Sequence, residues 1–160
     1  MRIKILFLDD IFSEMFRKTH DSEQLAFDDA WVDSIEREFT NGKVKGVDFE
    51  IVKSGEIDQW KSLIDTEKPD LVLLDLYWYE QAKQKGSGYH AVDISMEALK
   101  GIRKNYPDLP VIQYTVKPDR ETMDRSYEAG ATFFLEKVPL AIPEVHSALK
   151  YLVFHLMRSK

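Results

Sequence analysis

Five short apolar runs, each followed by a stretch with helical spacing, constrain this 160-residue chain more than any other feature. The runs are residues 3–8 (IKILFL), 47–53 (VDFEIVK), 70–76 (DLVLLDL), 110–115 (PVIQYT) and 131–135 (ATFFL). Runs that are apolar on both faces suit parallel strands covered by helices on each side. Helical spacing follows each one. Residues 22–40 place Leu25, Val32, Ile35 and Phe39 on one stripe, with Trp31 beside it. Asp21 and Gln24 read as an N-terminal capping pair, and Asn41-Gly42 as the stop. Residues 56–68 align Ile57, Trp60 and Ile64 and end at Pro69. Residues 93–105 align Ile94, Ala98, Leu99 and Ile102 and end before Pro107. Residues 119–129 end at Gly130, a C-terminal cap, and residues 144–158 form a last helix. Strand and helix alternate five times, which predicts an open α/β sheet with right-handed crossovers.

The length suits one domain, residues 1–160, with a core that needs no cross-links. There is no cysteine, which excludes disulfides, thiolate zinc sites and thiol nucleophiles. The net charge of −6 argues against a general phosphate-backbone binder, so no direct nucleic-acid binding is expected. No apolar run approaches a membrane span, and the start, Met1-Arg2-Ile3-Lys4, does not read as a leader; a cytoplasmic protein is expected. Residues 11–20 and 77–92 exceed what a βα connection needs. Both leave from the same end of the sheet.

That end also collects the chemistry. The first strand delivers Asp9 and Asp10, the third Asp75, the fourth Thr115 and the fifth Lys137. In open α/β sheets, ligands sit beyond the carboxyl ends of the strands. Three crowded carboxylates repel one another unless a cation joins them. They are hard oxygen ligands, so Mg²⁺ fits better than zinc. Lys137 supplies a positive charge and Thr115 a hydroxyl for a phosphoryl oxygen. Asp75 can act as a nucleophile once metal and lysine shield its charge.

The segments ILFLDD, LVLLDL, VIQYT and FFLEK, in this order, resemble the receiver domain of two-component response regulators, over nearly the whole chain apart from the two long connections. The resemblance implies a flavodoxin-like (βα)5 three-layer sandwich with strand order 2-1-3-4-5. It implies Asp75 as phosphoacceptor and Mg²⁺ held by Asp10, Asp75 and the main-chain carbonyl of Tyr77, with Asp9 acting through water. Lys137 and Thr115 would contact the phosphoryl group, and Phe134 would be the switch aromatic that fills the space Thr115 vacates. The implied partner is a histidine kinase or histidine phosphotransfer protein. Three departures stand out. Val138 separates Lys137 from Pro139, Val116 replaces a small residue, and the segment after Asp75 runs YWYEQAKQKGSGYHAV. Val116 and Tyr77 together predict a long-lived acyl phosphate.

Other readings stand beside this one. Asp9, Asp10, Asp75 and Lys137 could be a structural ion-pair cluster, and Phe134 plain core. Tyr77, Trp78 and Tyr79 read either as a partner surface or as packing for the long connection. His20, His90, His146 and His155 make no metal set, and residues 83–88 read as flexible loop. The last helix is apolar on more than one face, which points to a homodimer or a downstream protein partner. The alternative function is a receiver-like interaction module that does not turn over phosphate. A haloacid-dehalogenase phosphatase is disfavoured because Ile11 and Phe12 stand where its second aspartate belongs. A flavodoxin is disfavoured because Asp9-Asp10 would repel a phosphate.

Overall fold

In the computed structural model, which describes residues 1–41, 44–139 and 142–159, all five apolar runs are strands. They are β1 (Arg2–Leu8), β2 (Asp48–Ser54), β3 (Leu71–Asp75), β4 (Val111–Thr115) and β5 (Phe133–Glu136). They pair in parallel in the order β2-β1-β3-β4-β5. This is the flavodoxin-like order. Burial follows sheet position. Every residue of β3 and β4 is buried, whereas the edge strands β2 and β5 are partly exposed.

The described residues form seven α-helices: α1 (Glu14–Thr19), α2 (Ser22–Thr40), α3 (Trp60–Glu67), α4 (Tyr79–Lys85), α5 (Ala91–Asn105), α6 (Arg120–Ala129) and α7 (Pro143–Arg158). One face of the sheet packs Ile3, Ile5, Phe7, Leu73 and Tyr114 against Trp31, Ile35 and Phe39 of α2 and Leu149 and Val153 of α7. The other packs Leu6, Leu8, Val72 and Leu74 against Ile64 of α3, Ala98, Leu99 and Ile102 of α5 and Ala129 of α6. Opposed stripes on helices and strands, each with its own period, produce the three layers. Side chains this deep cost about 2–5 kcal/mol each when cut back to alanine.

The helix ends follow their caps. Asp21 accepts the Gln24 N–H at 2.8 Å at the start of α2. Asn41 caps its C-terminus, and the expected stop at Gly42 lies outside the described residues. Gly130, with φ 113°, ends α6 in the left-handed region, where an added Cβ would also meet the Arg103 side chain.

The structure corrects two expectations. The connections after β1 and β3 are not plain loops, because each folds a short helix, α1 and α4. Lys83–Lys85 close α4, and only Gly86 onward leaves it, so the loop expected at residues 83–88 is half helix. Helices this short are marginal alone, so their periodicity is weak and tertiary contacts hold them. Tyr77, Trp78 and Tyr79 divide between their two readings. Trp78 is wholly buried, Tyr77 is half-buried and Tyr79 is exposed. No described helix is long and apolar enough to cross a membrane.

Candidate phosphoryl site at the strand ends

β1 runs buried to Leu8, and the next two residues turn its end into an acidic rim. Asp9 is completely buried; its Oδ1 accepts the Ile11 N–H at 3.2 Å and caps a single turn at Asp10–Phe12. That turn stays tight because the Ser13 N–H bonds the Asp10 carbonyl at 2.9 Å. Gly55 permits this closure. A Cβ there would lie 2.1 Å from the Ser13 nitrogen, so the turn after β2 fits beneath the turn after β1 only without a side chain.

β3 delivers Asp75 in the adjacent lane. One oxygen of Asp9, Asp10 and Asp75 each lies within 4.8 Å of the others. β4 and β5 bring the cation: the Lys137 N–H donates to the Thr115 carbonyl at 2.6 Å, extending the pairing by one residue. The Lys137 Nζ then reaches Asp9 Oδ2 at 2.6 Å and Asp75 Oδ1 at 3.3 Å. The structure therefore gathers all four residues, and the shorter lysine bond goes to Asp9. Thr115 is fully buried, and its Oγ1 accepts the Lys117 N–H at 3.1 Å. Phe134 is buried in the α5/α6 side of the core. Gln113 and Phe134 are register partners, so Thr115 and Phe134 lie on the same sheet face. The Tyr77 hydroxyl donates to the Lys117 carbonyl at 3.2 Å, and its ring stacks on Tyr79 with centroids 5.6 Å apart. No cis peptide bond occurs among the described residues, so Lys137, Val138 and Pro139 follow one another in trans.

Three carboxylates face one ammonium, and the titration behaviour reflects the imbalance. Burial, then the charges of Asp75 and Asp9, push Asp10 up to about 9. Burial and then Asp9 push Asp75 up to about 7, with Lys137 opposing. Burial alone would lower Lys137, but the Asp75 and Asp9 carboxylates override it and hold it charged. Fully ionised, the cluster carries two negative charges in excess on hard oxygens, a donor set that fits a divalent cation of the magnesium type.

A cleft of about 370 Å³ opens over the cluster. Trp31 of α2 forms part of its wall and lies with its ring centroid 5.2 Å from the Lys137 Nζ, while Tyr114 holds its ring at 5.6 Å from the same atom. Asp28 fixes the indole by accepting its N–H at 2.9 Å. In the sequence Trp31 stands only beside the apolar stripe of α2, and Tyr114 is not distinguished from the rest of its strand. The Asp28–Trp31 spacing on the buried face of α2 was the only available signal. Gln113, an amide in the middle of the run VIQYT, carries no signal of its role in the sequence either.

No family model matches the chain. It is 29% identical over 123 residues to the probable C4-dicarboxylate response regulator DctR of Bacillus subtilis, covering 77% of this chain and 48% of that protein. The chain thus spans about half the length of that curated relative. A CheY-like response regulator receiver domain from Methanospirillum hungatei superposes with a TM-score of 0.60 at 18% identity over 100% of both chains. The Mn²⁺-bound form of response regulator Rcp1 superposes with a TM-score of 0.58 at 16% identity, covering 94% of this chain and 91% of that one. The chain has the fold of response regulator receiver domains.

Proposed function

We propose that this chain is a single phospho-accepting receiver domain, residues 1–160, acting in a cytoplasmic two-component phosphorelay. Asp75 takes the phosphoryl group from a phosphohistidine of a histidine kinase or histidine phosphotransfer protein, with Mg²⁺ as cofactor. One observation carries the reading: Lys137 bridges Asp9 and Asp75 while Asp10 completes a tight carboxylate cluster at the strand ends. Ion pairs that serve stability alone have no need of two surplus carboxylates.

Asp10, Asp75 and the Tyr77 carbonyl would hold Mg²⁺. Both Asp9 oxygens already have partners, the Lys137 ammonium and the Ile11 N–H, which suits a contact through water. When bound, Mg²⁺ supplies charge neutralisation for the carboxylates and the phosphoryl oxygens. Asp75 Oδ1 accepts from the Leu76 N–H at 3.0 Å and from Lys137, so the two carboxylate oxygens are not equivalent, and one of them attacks phosphorus while the other is left to the metal. Its bond to phosphorus forms as the phosphorus–nitrogen bond breaks, and the electron pair leaves on the donor imidazole. Positioning and charge account for most of such catalysis. Lys137 follows the transferred group. Thr115 Oγ1 accepts from Lys117 and so keeps its hydroxyl proton for a phosphoryl oxygen. Phe134, on the same face, would occupy the space Thr115 leaves. Exposed Val145 and Tyr151 on α7 and Phe133 and Val138 at the β5 edge support a contact face for a second copy or a downstream protein.

Intact mass after incubation with Mg²⁺ and acetyl phosphate tests the reading. One added phosphoryl group is expected, absent from Asp75→Asn. A folded wild type that takes no label overturns it in favour of an interaction module with the receiver fold. Val116, exposed at the cleft, and Tyr77 narrow the approach of water. Val116→Ala is therefore expected to shorten the acyl-phosphate half-life by about 3–10-fold.

A further inference from the structure

Gln113 sits in the middle of β4 with no exposed surface, where its neighbours are apolar. A primary amide in such a place is costly unless every group is used. Its Nε2 donates to the Leu74 carbonyl at 3.1 Å and to the Asp75 carbonyl at 3.3 Å. Its Oε1 accepts the hydroxyl of Ser126, also fully buried, from α6 at 3.1 Å. The Asp75 carbonyl receives a second bond, from the Trp78 Nε1 at 2.9 Å. On the far side of that same peptide unit, the Leu76 N–H donates to Asp75 Oδ1 at 3.0 Å. The next carbonyl, Leu76, is held by the Ser95 hydroxyl of α5 at 2.8 Å.

These bonds have a direction. Two donors on the Asp75 carbonyl fix the plane of the Asp75–Leu76 peptide and polarise it, which strengthens its N–H as a donor. That N–H, with Lys137, occupies one carboxylate oxygen and leaves the other. An apolar side chain in place of Gln113 would fill the same space without setting the peptide plane. We propose that Gln113 is a positioning residue for the acceptor: braced by Ser126 of α6, it orients the Asp75–Leu76 peptide so that one chosen oxygen of Asp75 faces phosphorus. The inference rests on the receiver reading above and adds a link it does not contain, from α6 through a side-chain amide to the acceptor's own main chain.

The test compares wild type, Gln113→Met and Ser126→Ala with Mg²⁺ and acetyl phosphate, following label by intact mass. Maximal labelling rate is expected to fall about tenfold in Gln113→Met and about threefold in Ser126→Ala. Half-saturating acetyl phosphate should stay within about twofold of wild type, because no residue that would contact the phosphate donor is replaced. The Leu76 amide proton resonance should move upfield in both variants, a signature that a packing role would not produce. Folded Gln113→Met labelled at the wild-type maximal rate overturns the inference and leaves the receiver reading standing. So does a loss seen only as weaker donor saturation. If Gln113→Met does not fold, Ser126→Ala decides: an unchanged rate with an unmoved Leu76 resonance overturns it. Wild type that takes no label overturns the receiver reading, and this inference with it.

Discussion

The connections after β1 and after β3 do the same job by opposite means. Each carries acidic groups to the rim and inserts a short helix before the main one. After β1 the turns themselves are closed by near neighbours, with Lys137 and Ser54 pinning Asp9 from afar: Asp9 caps Ile11, the Asp10 carbonyl takes the Ser13 N–H, and Ser13 caps Phe16 at 3.1 Å. After β3 most of the anchors come from far along the chain, and the near one, Trp78, is itself buried in the core. Gln113 and the Trp78 indole hold the Asp75 carbonyl, Ser95 holds Leu76, and the Ala91 carbonyl takes the Trp78 N–H at 2.9 Å. The first arrangement places two carboxylates by local turns. The second places a nucleophile by the packing of the finished fold. A residue that must present one particular oxygen gains from the second, because buried long-range bonds fray less than caps.

The largest break in this comparison is Trp78→Ala. It empties a fully buried indole and strips one donor from Asp75, so it should cost about 4 kcal/mol in urea unfolding. A loss under about 1 kcal/mol would show that the second connection does not depend on its buried anchors. Gly55→Ala strikes the first connection. Its Cβ must push the Ser13 backbone away, which should cost about 2 kcal/mol and weaken Mg²⁺ binding through Asp10. Unchanged stability would mean that the turn gives way freely.

The same contrast decides what was legible in the sequence. The five strands and α2 were readable because their signals are local: apolar runs, the Asp21 cap and the helical stripe. The acids, Thr115 and Lys137 were readable because each closes a strand. The cradle around Asp75 was not. Nothing near residue 113 says that its amide meets the Asp75 carbonyl, and nothing near residue 31 says that its ring flanks the Lys137 ammonium. Those pairings exist only once β4 lies beside β3 and α2 lies over β1. α1 and α4 were missed for a related reason, since six or seven residues carry too little periodicity to stand out.

Protonation links the two connections, because Asp10 belongs to one and Asp75 to the other. Both carboxyls titrate higher in the folded chain than the usual carboxylate value, Asp75 at about 7 and Asp10 at about 9. A raised acid stabilises the fold below its unfolded pKa, and that contribution drains away as pH climbs through the folded one. Metal-free protein should therefore lose melting temperature from about pH 5 to pH 9, with a slope of at most about 1.4 kcal/mol per pH unit for each carboxyl. Asp10→Asn should flatten the upper part of that fall. Mg²⁺ competes with the protons, so its stabilisation should be greater at pH 8 than at pH 6. A melting temperature that rises with pH in the absence of metal would contradict this account.

The smallest effect separates the two kinds of anchor most cleanly. Ser13 is buried and caps α1 through its Oγ, so Ser13→Ala should cost about 1 kcal/mol. α1 has only six residues and cannot share that loss along its length. The cost should stay local, as faster hydrogen exchange over residues 14–19, with the amides of residues 75–78 unaffected. Ser95→Ala deletes a hydroxyl of the same size from the other connection, but that hydroxyl bonds the Leu76 carbonyl from α5. Its exchange signature should spread across β3, α4 and the start of α5 together. If both substitutions produce the same local pattern, the two connections are held alike, and the distinction between turn-held acids and a packing-held nucleophile fails.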